Sequence, residues 1–451
     1  MAAKDRNEPE SQTRRRGGHV CRATRPACRP WRRKKEAAMS DSTSPAFVRK
    51  NGAAKLRVGL LRLTDSAPMV TAHEFGFFAD EGVEVELTVE PSWANIADKL
   101  AFGALDAAVV VPPLVFAVQL GLRGSAQPML VPYVLSAGGN AVTLGSELAR
   151  QVRQRAEHAG LSKLEGLAAC LREGPATLGV VHAFSTHNLL LRYWLATAGI
   201  EAGRDVKLAV VPPARAVEAL RDKQIAGFCA GAPWGEVARR AGVGSTIASS
   251  HEIWNSAPEK AFAVRARWAQ QYPEALAGAM RALLRSSRFC DDPQNAAYIA
   301  ALLSRRQYLN LDPHAILATL PSTTTAHTSC VFFRGATTFP WRSQGLWFLS
   351  QMRRWGLIDD SIDLRTLAER VYRPDLYRAA MAPLEEPTPV ADWKVEGRHD
   401  APWSLNTESK PVAMPSDRFC DGTIFDPAAL PSLGESAMRI LERDGRRDSF
   451  D

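Results

Sequence analysis

Ser185, Thr186 and His187 follow a short apolar run, residues 177–182, and open a stretch that reads as a helix over 186–198. A hydroxyl and an imidazole at a helix mouth stand where the first backbone N–H groups are unpaired and the macrodipole is positive. That arrangement suits an anion. Three further places share this strand-end character. Pro91-Ser92-Trp93-Ala94-Asn95 follows a strand at 83–89, Gly138-Gly139-Asn140 is expected between two strands of a first lobe, and Gly231-Ala232-Pro233-Trp234 follows a strand at 226–230. Lys260 stands immediately before an apolar run at 261–265. For a small monovalent oxyanion the set is chemically coherent. Lysine supplies a compact cation and His187 a ring N–H. The indoles of Trp93 and Trp234 each carry one N–H and wall off water. Taken singly, each has a plainer reading: Lys260, within Pro258-Glu259-Lys260, is by default a solvated turn lysine, and His187 a surface residue or helix-cap substitute.

The elements that must position these groups alternate along the chain. Strands are expected at 56–63, 83–89, 106–111, 129–134 and 141–144, with helices at 66–78 and, capped by Ser92, 93–102. After a helical stretch at 147–171 the pattern restarts, with strands at 177–182, 206–211 and 226–230 and helices opened by Thr186, Pro213 and Pro233. The strand at 261–265 leads into a long helix ending near Phe289. Repeated β-α-β units predict parallel sheets with right-handed crossovers. Two series imply two α/β lobes with a cleft between them, and ligands of such sheets bind at the carboxyl ends of strands. The expected division is a basic tail over 1–54, a first lobe from 55–140 and 258–385, a second lobe from 141–257, and a Pro- and charge-rich strap or tail over 386–451.

The charge distribution narrows the function. Residues 1–38 hold 12 Lys/Arg against 4 Asp/Glu, which equals the net charge of +8 of the whole 451-residue chain. The remainder is neutral on balance, so the folded part carries no basic footprint for nucleic acid. The basic segment lacks the apolar run that an export signal needs, and Met39 reads as a second start. No run of apolar residues is long enough to span a membrane. The seven cysteines, Cys21, Cys28, Cys170, Cys229, Cys290, Cys330 and Cys420, are scattered without C-x-x-C spacing. That indicates neither a metal site nor a disulfide framework, and reduced thiols in the cytoplasm are expected. No paired carboxylates, activated nucleophile or phosphate-cradling glycine loop stands out, so no catalysis and no cofactor are expected.

Several stretches resemble the nitrate- and bicarbonate-binding receptors of bacterial ABC importers. They are LTDSAP at 63–68, EFGFF at 74–78, PSWAN at 91–95, THNLLLRYWL at 186–195, WNSAPEKA at 254–261 and FPWRSQGLWFL at 339–349. The resemblance runs from about residue 55 to about 385. It implies a two-lobe, periplasmic-binding-protein-like (type II) fold of α/β class. It also implies an anion held by Trp93, His187 and Lys260, with backbone N–H groups around Asn95. Thr186 and Trp234 complete the expected ligand-binding set. Two departures stand out. The family carries Gly-Glu-Pro-Trp or Gly-Glu-Pro-Tyr where this chain has Gly231-Ala232-Pro233-Trp234, which removes a carboxylate. A glutamine donor expected shortly before Gly139 is replaced near Val134, leaving Ser136 and Asn140 as substitutes.

Within this family a member without an export signal is similar to the cytoplasmic nitrate/nitrite sensor NasS. The resemblance then implies nitrate or nitrite as ligand and a NasT-like antiterminator of the ANTAR RNA-binding type as protein partner, with no direct contact to nucleic acid or membrane. The alternative is the substrate-binding component of a nitrate/bicarbonate-type ABC importer. Enzymes on the same scaffold, the suicidal pyrimidine synthases of thiamine biosynthesis, need a cysteine cluster that this sequence lacks.

Overall fold

The computed structural model describes residues 54–429, apart from 123, 175 and 323–328. The basic segment 1–38, the rest of the expected tail up to residue 53, and the final stretch 430–451 lie outside the described residues. The first sheet is built from β1 (Ala54–Leu60), β2 (Val83–Val89), β3 (Ala107–Val110), β4 (Met129–Gly138), β10 (Pro258–Arg265) and β11 (Cys330–Val331), in the order β11-β4-β10-β3-β1-β2. Its edge strand β2 alternates, with Val83 and Val85 inside and Glu84 and Glu86 outside, as a half-solvated strand should. Glu86 pairs there with Lys55 of β1 at 2.7 Å. The central strand β3 is apolar throughout, and β10 is apolar from Ala261 to Val264, because both faces are covered there.

The second sheet comprises β5 (Asn140–Gly145), β6 (Thr177–Val180), β7 (Lys207–Val210), β8 (Gly227–Gly231) and β9 (Gly244–Ser249), in the order β7-β6-β8-β5-β9. The chain crosses between the sheets twice. The first crossing is the single residue Gly139, so Gly138-Gly139-Asn140 does not lie between two strands of one lobe: Asn140 already opens β5. Both glycines are in the left-handed region, φ +71° and +81°, and a Cβ on Gly139 would stand 2.5 Å from Cys330 Sγ. Only glycine fits there without a shift. The second crossing, residues 250–257, returns the chain to β10.

These crossings overturn the expectation of parallel sheets. β1, β2 and β3 run in parallel toward the crossing side, but β10 starts from that side and is antiparallel to both β3 and β4. β5 likewise starts at the crossing and runs antiparallel to β8 and β9. Hydrophobic periodicity reports burial, not strand direction, so the mixed sheets were not legible from it. The helix expected over 66–78 is interrupted. A 3-10 turn, Thr64–Ser66, precedes Ala67–Glu74, and Gly76 at φ +72° separates the short helix Phe77–Asp80. The stretch 147–171 is two helices, Ser146–Ala159 and Lys163–Glu173, divided at Gly160 (φ +62°) and restarted by a Ser162–Glu165 capping box. Those breaks carried ordinary stop and start signals.

Beyond residue 385 the chain runs across the second crossing. Asn255 donates its backbone N–H to Arg418 O and Cys420 donates to Ile253 O, each at 2.9 Å. The Phe419 ring stacks on Trp254 and Trp347, with centroids 4.8 and 5.8 Å apart. Trp347 comes from the helix Arg342–Arg354, whose Ser343 hydroxyl donates to Glu396 at 2.6 Å. The FPWRSQGLWFL stretch thus supplies core aromatics that hold the C-terminal segment on the second crossing.

Candidate functional site

Six strand ends or beginnings converge on one buried locus, five of them with polar side chains. Asp65 lies in the turn after β1, and Trp93 is the first residue of the helix Trp93–Ala101 that follows β2. Thr186 and His187 open the helix Thr186–Thr197 after β6. Asn140 begins β5, Gly231 ends β8, and Glu259 and Lys260 lie near the start of β10. Strand ends are where an open α/β sheet exposes backbone and helix termini to a ligand.

Lys260 is fully buried and lies inside β10 rather than before it, so the solvated-turn reading is overturned. Its Nζ stands 2.8 Å from Asp65 Oδ2 and also pairs with Glu259 Oε1. Burial opposes the ammonium charge, but the two carboxylates outweigh it and hold its pKa above the usual lysine value. Asp65 shows the other side of the same balance. Burial is the leading cause, Glu259 adds to it and Lys260 opposes it, pushing the carboxyl up to about 6. His187 is held well below the ordinary histidine value, by burial first and by Lys260 second, and is neutral. Its Nε2 lies 3.3 Å from Glu259 Oε1.

Convergence is measured at Gly231. A Cβ placed there would meet His187 Nε2 at 3.3 Å, Asp65 Oδ2 at 3.4 Å and Asn140 Oδ1 at 3.5 Å. Groups from the first and the second sheet therefore border one point. The Trp93 ring packs beside them, its centroid 5.4 Å from Lys260 Nζ. Trp93 Nε1, Thr186 Oγ1, both His187 ring nitrogens, Asn140 Oδ1 and Asp65 Oδ1 are buried without a hydrogen-bond partner among the described residues. Buried polar atoms are nearly always paired, so this concentration of unpaired ones marks a place made for a polar ligand. Among the described residues no group of three or more His, Cys, Asp or Glu is set to hold a metal ion.

Not every expected residue joins the cluster. Asn95 is exposed, and its backbone N–H donates to Ser92 Oγ at 3.3 Å, so the N-cap itself takes up that donor. The Trp234 indole donates to Arg62 O at 3.2 Å, linking the two lobes beside Thr64 N–H, which donates to Ala232 O at 2.9 Å. Ser136 is buried, and its hydroxyl accepts the backbone N–H of Lys260 at 3.3 Å. Asn140 engages Glu259 through its amide nitrogen, and among the described residues nothing donates to its Oδ1. Two members were missed. Asp65 and Glu259 form the carboxylate pair that the sequence reading did not find, being 194 positions apart in the numbering. Their only sequence signal is their placement within LTDSAP and WNSAPEKA.

The sequence profile of the NMT1-like family matches residues 49–304, more than half of the chain. The chain belongs to the NMT1-like family. Within that family it is a member of the nitrate/bicarbonate ABC substrate-binding group. A nitrate/nitrite binding protein NrtA from Synechococcus elongatus is 30% identical over 391 residues, 82% of this chain and 83% of that one. A nitrate import ATP-binding protein NrtC from Synechocystis is 38% identical over 346 residues, 73% of this chain but 50% of that protein. This NMT1-like chain thus spans about half the length of NrtC and of the bicarbonate transport ATP-binding protein CmpC from Synechococcus elongatus, which is 35% identical over 331 residues, 72% of this chain and 49% of that one. The crystal structure of the periplasmic nitrate-binding protein NrtA from Synechocystis superposes with a TM-score of 0.72 at 26% identity, covering 84% of this chain and 97% of that one. An alkanesulfonate-binding protein SsuA from Xanthomonas axonopodis bound to MOPS shares the fold alone, at TM-score 0.52 and 16% identity. The two-lobe, periplasmic-binding-protein-like fold expected from the sequence is borne out.

Proposed function

We propose that the chain binds nitrate or nitrite between its lobes and acts as a cytoplasmic sensor that holds an antiterminator protein inactive until the anion arrives. The observation that carries the ligand reading is Lys260, a fully buried ammonium among the unpaired donors of Trp93, Thr186 and His187. A dry site strengthens each charge–dipole contact to a small oxyanion. The relatives named for nitrate binding support the same ligand class. Trp93, Thr186, His187 and Lys260 are the donors; Asn140 and Ser136 shape the wall.

The sensor role is the finer part of the proposal. The described cysteines are all free, with Cys229, Cys290 and Cys330 buried, which suits a reducing compartment. An anion that contacts both lobes stabilises the closed arrangement by its differential affinity for it. A partner that grips the open arrangement is then released, and the coupling is reciprocal. A coupling of about 1–3 kcal/mol changes partner affinity roughly 5- to 150-fold. The alternative, a substrate-binding component of an ABC importer, is consistent with the same site and the same relatives.

Calorimetric titration with nitrate, nitrite, bicarbonate and sulfate tests the ligand. Binding of bicarbonate or sulfate with no nitrate or nitrite binding would overturn it. Purification with the co-purifying regulator in nitrate-free buffer, followed by addition of nitrate, tests the sensor role. A complex that ignores both anions, or recovery of the chain from the periplasm, favours the importer component.

A further inference from the structure

We propose that Asp65 binds the anion as a carboxylic acid, so that each anion is taken up together with one proton. The proposal rests on the nitrate or nitrite reading of the site and names a ligand contact beyond Trp93, His187 and Lys260.

Charge is the first ground. With Asp65 and Glu259 both ionised, Lys260 protonated and His187 neutral, the buried cluster carries a net charge of −1. All four side chains are essentially without solvent contact. A monovalent anion added to that cluster raises the net charge to −2 in a dry cavity, where like charges a few ångströms apart repel by several kcal/mol even at an effective dielectric constant near 20. Protonating one carboxylate on entry keeps the net charge at −1.

Geometry selects the carboxylate. Glu259 is engaged at both oxygens, Oε1 by Lys260 and Oε2 by the Asn140 amide. Among the described residues Asp65 is engaged only at Oδ2, by Lys260, while its Oδ1 is buried without a partner. As a bare carboxylate oxygen, Oδ1 would repel the ligand. As O–H it becomes a donor to the ligand, joining those of Trp93, Thr186 and His187. The charged and titratable groups that face Asp65 are Lys260 and Glu259 on β10, His187 on the helix after β6, and the Cys330 thiol on β11. Lys260 favours the ionised form of Asp65, and burial and Glu259 favour the acid. Burial is the largest influence, and the carboxyl already titrates near 6. An arriving negative charge raises it further. The proton comes from solvent, resides on Asp65 Oδ1 and returns to solvent when the anion leaves.

Calorimetry of the full chain with nitrate and with nitrite, in buffers of different ionisation enthalpy, counts the protons. The expected result is uptake of about one proton per anion at pH 7–8, falling toward zero below pH 6, with Kd rising roughly tenfold per pH unit on the alkaline side. Asp65→Asn keeps the cavity shape and one donor but cannot titrate. Its proton uptake is expected to vanish and its Kd to lose the pH dependence. Glu259→Gln removes a negative charge that favours the acid form of Asp65, so its proton uptake at pH 7–8 is expected to fall below that of wild type. Wild-type binding without proton uptake overturns the proposal while leaving the ligand reading intact. Uptake that survives in Asp65→Asn overturns the assignment to Asp65. Failure of nitrate and nitrite to bind at any pH overturns the ligand reading and this proposal with it.

Discussion

Lys260 Nζ lies 2.8 Å from Asp65 Oδ2, tying the strand that returns from the second lobe to the turn that ends the first strand of the chain. The contact is wholly buried. It fixes the one cation of the cluster at the point where the lobes face each other, and it gives two residues distant in sequence a shared electrostatic fate.

Removing that cation should cost both binding and stability. Lys260→Ala truncates one partner of a buried charged contact and is expected to weaken anion binding by about 2–5 kcal/mol. It also leaves Asp65 and Glu259 buried without their partner, a loss of about 3–5 kcal/mol of folding stability. Calorimetry and chemical denaturation measure the two effects separately. Wild-type affinity for nitrate in this variant would remove Lys260 from the site.

Gly231→Ala probes the space between the lobes. The new methyl would sit 3.3–3.5 Å from His187, Asp65 and Asn140, close but not impossible. Folding stability is expected to change by less than about 1 kcal/mol, within the range of ordinary single substitutions. Anion affinity should fall at least tenfold, because the methyl occupies the point on which the ligand groups converge. Unchanged affinity would move the ligand elsewhere in the cluster.

Asp65 also links stability to pH. Its folded carboxyl titrates near 6 against an unfolded value of 3.8, so between those values the folded chain holds more protons than the unfolded one. The contribution is therefore fully present below the unfolded pKa and is lost as pH rises through about 6. Its size is on the order of 3 kcal/mol at most. Denaturation of wild type and Asp65→Asn without ligand, from pH 4.5 to 7, should show the variant gaining relative to wild type as pH rises. A difference that stays constant across that range contradicts the linkage.

Phe419→Ala tests the clamp on the second crossing. Deleting a fully buried ring that stacks on Trp254 and Trp347 is expected to cost about 3–5 kcal/mol of stability. Among the described residues the ring partners of Phe419 are Tyr193, Trp254 and Trp347, none of which belongs to the anion site, so affinity measured below the melting transition should change far less than stability. Equal losses in both would make the C-terminal segment part of the binding equilibrium.

The sequence by itself determined the α/β class, the alternation of elements and most helix starts. Ser92 and Ser185 cap their helices as their types foretell, accepting from Asn95 and Asn188. Motif positions singled out Trp93, Thr186, His187 and Lys260, which the structure gathers with Asn140. Local signals sufficed there because caps, prolines and apolar runs act over a few residues. Strand direction, the crossing at Gly139 and the partners of Lys260 were decided only by tertiary structure. Direction depends on which side of the cleft a strand enters from, and no periodicity records that. Lys260 reads as a solvated turn residue until β10 is placed between β3 and β4, which buries it. Asp65 and Glu259 become a pair only when β1 and β10 bring their ends to one place. A buried charge must find its partner in space, and the sequence gives no distance between residues 65 and 260.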